Sequence, residues 1–202
     1  MKKFLYKCWS KFLTMFGNIK IFPYPFWLIY DPNDYDITGK QILEIVEIIK
    51  PGDIILRGYK NYLDGKFIPD PQKYSHAAIY VGKNQVIHAI AEGVSYENII
   101  DFCMCDRIAI FRPKKGQRSA IKIAKDFVKQ NIPYDFGFSK GISSLYCFEL
   151  GAECYPKLNI PKQTVSKLFG LIKKKDVYLA ESFFKSPDME CVFQYNPSFN
   201  IV

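Results

Sequence analysis

The chain has 202 residues, 49% of them hydrophobic, and a formal net charge of +8 at pH 7. A chain of this length can bury one full core, and this share of apolar residues is typical of a globular protein and too low for a protein with many membrane spans. No window offers the roughly 18 consecutive apolar residues that a spanning helix needs.

The basic charge favours an anionic partner, either nucleic acid or an anionic lipid surface. The sequence contains no zinc-finger spacing, no aromatic RNA-binding motif and no recognition-helix pattern, which argues against nucleic acid. An anionic membrane surface is the partner that the charge favours more.

The chain has six cysteines, Cys8, Cys103, Cys105, Cys147, Cys154 and Cys191. Their density is far below that of a disulfide-stabilised domain, and the Cys-x-Cys pair is not a zinc spacing. The sequence predicts free thiols in a reducing compartment, with neither a metal site nor a cofactor.

Residues 1–17 start with two lysines and continue as an apolar stretch. Lys7 and Lys11 interrupt this stretch, and no small-residue cleavage site follows it. We therefore expect a basic amphipathic helix rather than a signal peptide, in a cytoplasmic protein that visits a membrane as a peripheral protein. Packing of this helix against its own domain is the more common case, and binding to an anionic membrane surface, which its basic and aromatic residues suit, is the alternative. With an extended arm over 18–37 it would form one part of the chain, and 38–202 would form the main domain.

Hydrophobic spacing and Gly or Pro breaks predict the remaining elements. In chain order they are a helix over 38–49, a strand over 53–57, a loop over 58–74, strands near 76–81, 84–90, 94–100 and 107–112, helices near 118–132 and 145–155, short helices within 165–175 and 177–184, and a last strand near 190–196. This order predicts an α+β fold with an antiparallel sheet packed against helices.

The only two histidines, His76 and His88, fall on one predicted β-hairpin. A three-residue turn centred on Gly82 would pair Tyr80 with Asn84 and set the two histidines directly opposite each other. Opposed residues share a face with Cβ atoms about 5 Å apart, so the imidazoles could hydrogen-bond.

Cys147 falls at the start of the helix predicted near 145–155, where Ser143 or Ser144 could cap it. The helix dipole and the unpaired amides of a first turn favour a thiolate, so we expect a lowered pKa for this thiol. The same amides could donate to an oxyanion. A single Cys or His is usually structural, but the combination indicates thiol chemistry.

Six segments occur in the order typical of the permuted papain-like amidases, the YaeF/YiiX branch of the NlpC superfamily, which is related to lecithin retinol acyltransferase. They are PGDIIL, SHAAIYVG, QVIHA followed by GV, RIAIFRP, IPYDFGF and YCFEL, within about residues 51–155. The chain resembles this family, and the resemblance implies a circularly permuted papain-like fold with the nucleophile at a helix N-terminus. It also implies His76 as the base, His88 as the residue that orients it, and Cys147 as the nucleophile.

The chain departs from the family pattern at two positions. That branch often has Glu where this chain has His88, and its motif commonly reads Cys-Ser-Glu where Phe148 follows the cysteine here. The first change leaves a workable triad, and the second could alter the substrate pocket.

The sequence thus predicts a cysteine-dependent amide or ester hydrolase that acts through a thioester, with acyl transfer as a variant. Its substrate would be a lipid amide or a peptidoglycan-type peptide. Oxyanion or substrate contacts could come from Tyr134, Tyr146 or Ser75. The alternative is a catalytically silent module that binds a lipid or a protein on the same scaffold.

Overall fold

The computed structural model describes residues 19–23, 26–30, 35–59, 74–138, 141–165 and 175–197. The chain divides into two compact units, Met1–Tyr35 and Asp36–Val202. In the first unit, β1 (Ile19–Pro23) and β2 (Phe26–Tyr30) form an antiparallel pair, so the predicted extended arm contains a β-hairpin. The helix predicted over 1–17 and most of the loop predicted over 58–74 lie outside the described residues.

The second unit is built on strands that are all paired antiparallel. They are β3 (Ile54–Gly58), β4 (His76–Gly82), β5 (Gln85–Ile90), β6 (Gly93–Asn98), β7 (Arg107–Pro113), β8 (Gln163–Val165), β9 (Lys175–Val177) and β10 (Met189–Tyr195). Six of them form one sheet in the order β10-β7-β3-β4-β5-β6, and β8 pairs with β9 separately.

The described helices are α1 (Gly39–Ile48), α2 (Ile99–Phe102), α3 (Gln117–Lys129), α4 (Cys147–Glu153) and α5 (Ala180–Phe184). Strand residues alternate between the two faces of the sheet, so each face carries its own apolar core. On one face Leu56 and Ile79 pack with the residues of α3, α4 and α5, and on the other Ile55 and Ala78 pack with the residues of α1 and α2. The α+β class predicted from the sequence is confirmed.

None of the helices in the described part of the chain is both long enough and apolar enough to cross a membrane.

An ion pair between the buried Asp53, the residue before β3, and the partly exposed Arg112 of β7 joins these two strands. The carboxylate of Asp53 is 1% exposed and accepts hydrogen bonds from Arg112 at 2.7 and 3.1 Å and from the Lys50 amide at 2.8 Å. Arg112 also donates to the Ile48 carbonyl at 2.7 Å, at the end of α1. This pair therefore connects α1 with β3 and β7.

The register predicted for the β4–β5 hairpin is wrong. Lys83 and Asn84 both adopt left-handed backbone conformations, with φ of 54° and 57°, and form a two-residue turn preceded by a β-bulge. As a result Ala78, not His76, lies directly opposite His88. The shift is two residues rather than one, so both histidines still project from the same face.

Candidate active site

Cys147 is the first residue of α4 and lies at the beginning of β4. Its side chain is buried, and its sulfur lies 3.9 Å from the carbonyl oxygen of Ser75. The backbone amides of Ala77 and Phe148, and the amide of the cysteine itself, donate hydrogen bonds to the sulfur. The thiol therefore contacts the backbone immediately before and immediately after His76.

The predicted cap of α4 is wrong, because the residue at the N-cap position is Tyr146 rather than Ser143 or Ser144. A β-bridge between Tyr134 and Leu145 keeps the chain extended up to that point. The helix can begin only after this bridge, which makes the cysteine its first residue. Its amide is then one of the first-turn donors that have no carbonyl partner within the helix, as the sequence predicted.

The expected lowering of the pKa of Cys147 is also wrong. Burial raises the pKa of this thiol to about 11, although the backbone hydrogen bonds and the positive charge of Arg57 oppose the rise. The cost of an ion in a buried site outweighs the benefit of the helix terminus. The resting cysteine is therefore a neutral thiol at neutral pH.

The two imidazoles are in contact across the hairpin despite the shifted register. Nε2 of His76 lies 3.1 Å from Nδ1 of His88, and the ring centroids are 5.2 Å apart in an edge-to-face arrangement. Phe102 of α2 packs against both rings, at centroid distances of 5.8 and 6.2 Å. The imidazole pair thus lies on the α2 side of the sheet, whereas Cys147 packs with the core cluster of the other face. The pair and the thiol flank the first residues of β4.

Both imidazoles are neutral at physiological pH. Burial, with Arg57 and His88 adding to it, lowers the pKa of His76 well below its ordinary value of 6.5. Burial and Arg57 likewise lower the pKa of His88 to about 4. A neutral imidazole can act as a proton acceptor, which is the state that a general base requires.

Sequence reasoning missed two charged residues beside the imidazole pair. Oε2 of Glu97 lies 3.3 Å from Nδ1 of His88, and Arg57 donates to the same oxygen at 3.2 Å. The guanidinium carbon of Arg57 lies 4.3 Å from the centre of the Phe102 ring. Because Ser95 pairs with His88, alternation along β6 brings Glu97 onto the histidine face. Only the register of β6, which the sequence did not provide, would have revealed this contact.

Of the three candidates for substrate or oxyanion contacts, Tyr134 is the one whose side chain contacts the sulfur of Cys147. Its phenol is hydrogen-bonded to Cys147, and burial, with smaller contributions from nearby groups, raises its pKa. The hydroxyl of Tyr146 accepts a hydrogen bond of 2.7 Å from the Tyr178 amide. Ser75 contacts the thiol through its carbonyl oxygen.

A close backbone contact holds the segment that carries Tyr134. The amide of Val94 donates to the Ile132 carbonyl at 2.9 Å. Gly93 permits this approach with φ of 110°, since a Cβ there would lie 2.8 Å from the Ile132 oxygen. The edge strand β6 therefore supports the chain that leads to the tyrosine.

Phe148, the departure from the Cys-Ser-Glu pattern, points into the core. It is 3% exposed, and its ring centroid lies 6.5 Å from that of Phe183. Its side chain therefore packs behind the cysteine.

A family model described as permuted papain-like amidase enzymes, the YaeF/YiiX, C92 family, matches residues 48–193. The chain belongs to this family. The match includes the hairpin and α4, and it confirms the family that the order of the motifs indicated. Membership makes the protein a hydrolase of the amidase and peptidase kind.

Two individual proteins are similar to this family member. Protein OPG091 of monkeypox virus is 31% identical over 144 residues, which cover 65% of this chain and 77% of that protein. The crystal structure of the metalloprotein yiiX (DUF1105) from Escherichia coli O157:H7 matches with a TM-score of 0.61 and 18% identity, over 72% of this chain and 97% of that chain. The structural likeness concerns the fold alone, and the predicted permuted papain-like fold is confirmed.

Proposed function

We propose that the protein is a cysteine-dependent amide or ester hydrolase in which Cys147 is the nucleophile, His76 is the base and His88 orients the base. One observation carries the proposal. The sulfur contacts the backbone on both sides of His76, while Nε2 of that imidazole faces His88. Nδ1 is the remaining nitrogen of His76, and we assign it to the thiol.

In the first half of the reaction, Cys147 attacks the carbonyl carbon of the substrate as its proton passes to Nδ1 of His76. The pair starts neutral, so transfer accompanies attack instead of preceding it. The amide of Cys147 and the hydroxyl of Tyr134 donate to the oxyanion. The proton on Nε2 of His76 is donated to Nδ1 of His88, which holds the ring in the required tautomer.

In the second half, His76 returns the proton to the leaving amine or alcohol, and the carbon–nitrogen or carbon–oxygen bond breaks to leave a thioester on Cys147. Water, activated by the same imidazole, attacks the thioester and releases the acid. A different acyl acceptor in place of water would make the protein an acyltransferase.

The surface near Tyr134 favours a substrate with an apolar acyl group. Phe136, whose ring centroid lies 4.8 Å from that of Tyr134, is 71% exposed, and Ile142 in the segment before α4 is 55% exposed. An exposed aromatic ring against a tyrosine that is hydrogen-bonded to the nucleophile suits an acyl chain better than a polar peptide. We therefore prefer a lipid amide to a peptidoglycan-type peptide.

A lipid substrate fits the second part of the proposal, in which the basic residues 1–17 bring a cytoplasmic protein to an anionic membrane surface. The sequence supports this through three lysines in the first 10 residues and a net charge of +8.

A metal has no part in the proposed mechanism. Although the E. coli protein yiiX is called a metalloprotein, the described residues of this chain contain no group of three or more His, Cys, Asp and Glu side chains that could hold a metal ion. The described residues therefore do not fit a metal site, and no step of the mechanism is assigned to a metal.

The burial of the thiol favours the second candidate, a silent module that binds a lipid or a protein. A cysteine that is 4% exposed and has a pKa of about 11 is a poor nucleophile unless a base activates it. Activation by His76 is therefore the point that separates the two candidates.

The test is a screen of lipoamides, N-acyl amino acids and muropeptides against the wild type, Cys147→Ala and the control Cys191→Ala. The control removes an exposed thiol, so it should keep full activity. Cys147→Ala should lose turnover at least 1,000-fold, roughly the loss expected when a nucleophile is removed, with an unchanged circular dichroism spectrum. Full turnover by Cys147→Ala would refute the proposal.

A further inference from the structure

A carboxylate lies beyond the second imidazole. Oε2 of Glu97 is 3.3 Å from Nδ1 of His88, the same nitrogen that lies 3.1 Å from Nε2 of His76. Arg57 donates to this carboxylate oxygen at 3.2 Å, so the guanidinium holds the carboxylate beside His88. We call these four side chains, Arg57, His76, His88 and Glu97, the charged row.

The charged row is built by the pairing of four neighbouring strands. Arg57 of β3 is directly opposite His76 of β4. His88 of β5 is directly opposite Ser95 of β6, and Glu97 follows two residues later on the same face. Because the strand register sets these positions, the carboxylate is aligned with the imidazoles independently of any flexible loop.

We propose that Glu97 is a positioning residue that stabilises, through His88, the positive charge that forms on the imidazole pair when Cys147 loses its proton. The inference rests on the proposed function of Cys147 and His76. As the thiol proton moves to Nδ1 of His76, the proton on Nε2 is shared with Nδ1 of His88, next to the carboxylate. Only S–H and N–H bonds change, and the net charge of the group is conserved.

The position of Arg57 explains why such a carboxylate is needed. Its positive charge lowers the pKa of both imidazoles, in addition to the effect of burial. Glu97 neutralises that charge from the side of His88. Burial, with Asp101 of α2 adding to it, raises the pKa of Glu97 against the opposing effect of Arg57. His88 and Cys103 also face this carboxylate.

The experiment measures alkylation of Cys147 by iodoacetamide as a function of pH, quantified on the Cys147 peptide by mass spectrometry. It uses the full chain as wild type, Glu97→Gln, Glu97→Asp and the control Glu92→Gln, all checked by circular dichroism. Glu92 lies exposed in the turn between β5 and β6, so its variant loses the same charge away from the imidazoles.

Glu97→Gln removes a negative charge near the imidazoles, which lowers their pKa by about one unit. The alkylation rate near neutral pH should fall about tenfold. The form that reacts has Cys147 as thiolate and the imidazole as imidazolium, and its population falls about tenfold when the pKa of the imidazole falls by about one unit. The acid limb of the profile should move about one pH unit lower. Glu97→Asp should restore most of the rate, and Glu92→Gln should match the wild type.

A Glu97→Gln profile that coincides with the wild-type profile would overturn the inference, and so would a Glu97→Asp variant as slow as Glu97→Gln. Failure of the proposed function has a different signature: His76→Gln would then leave the alkylation rate of Cys147 in the otherwise wild-type chain unchanged.

Discussion

Burial determines the resting protonation state of the catalytic residues that we propose. It raises the pKa of Cys147 and lowers that of His76, so neither group is charged before substrate binds. A helix N-terminus alone would favour a thiolate, but the sulfur is closed in by the segment before β4 and by Tyr134. The nucleophile is therefore activated only when the base takes its proton.

This neutral pair predicts a broad pH profile of kcat/KM. Activity requires unprotonated His76, whose pKa is depressed, so activity is lost on the acid side only well below pH 6.5. It also requires that Cys147 and His76 together keep one proton, so the alkaline limb should lie near pH 11. An assay of hydrolysis from pH 4 to the highest pH at which the fold persists checks this. An acid limb at or above pH 6.5 would contradict the neutral pair.

At the scale of the elements, the ion pair between the buried Asp53 and Arg112 holds α1, β3 and β7 together. Arg112→Met keeps much of the side-chain volume but leaves a carboxylate that is 1% exposed without its cation. We expect a loss of about 3–5 kcal/mol in the free energy of unfolding, measured by urea denaturation.

The control for this prediction is Lys129→Met, since Lys129 forms an exposed ion pair with Asp126 on α3. That variant should lose less than about 1 kcal/mol. Equal destabilisation by the two substitutions would show that the Asp53 pair has no special structural role.

Most elements were predictable because their apolar spacing is regular. The sequence predicts strands near 107–112 and 76–81, and the structure has them at Arg107–Pro113 and His76–Gly82. The end of the strand predicted near 94–100 is wrong, because the Asn98 side chain accepts a 2.9 Å hydrogen bond from Ile100 and starts α2.

The features that the sequence did not predict depend on contacts between distant segments. The two-residue turn at Lys83 needs a left-handed conformation that the presence of Gly82 did not indicate. The start of α4 depends on the bridge between Tyr134 and Leu145. Burial, which reverses the expected pKa shift of Cys147, is likewise a property of the packed molecule. The helix predicted over 165–175 lies largely outside the described residues.

At the scale of the whole molecule, the net charge of +8 favours binding to an anionic surface. We predict that the full chain co-sediments with vesicles of mixed phosphatidylcholine and phosphatidylserine, and that Lys7→Glu with Lys11→Glu weakens this binding. Each basic residue near such a surface contributes about 1 kcal/mol, so the double variant should bind at least tenfold more weakly.

The matched control is Lys125→Glu with Lys129→Glu, which changes the net charge equally on α3. It should bind nearly as well as the wild type, and binding by the wild type should weaken at high salt. If both double variants bind equally, the N-terminal residues have no special part in membrane attachment.

The most direct measurement concerns the distance between the thiol and its base. 1,3-Dibromoacetone alkylates two nucleophiles that lie within the length of its three-carbon chain. Our account predicts that peptide mapping of the treated wild type finds Cys147 linked to His76, and that His76→Gln carries only a single alkylation on Cys147. A wild-type product in which Cys147 is alkylated but not joined to His76 would contradict the proposed active site.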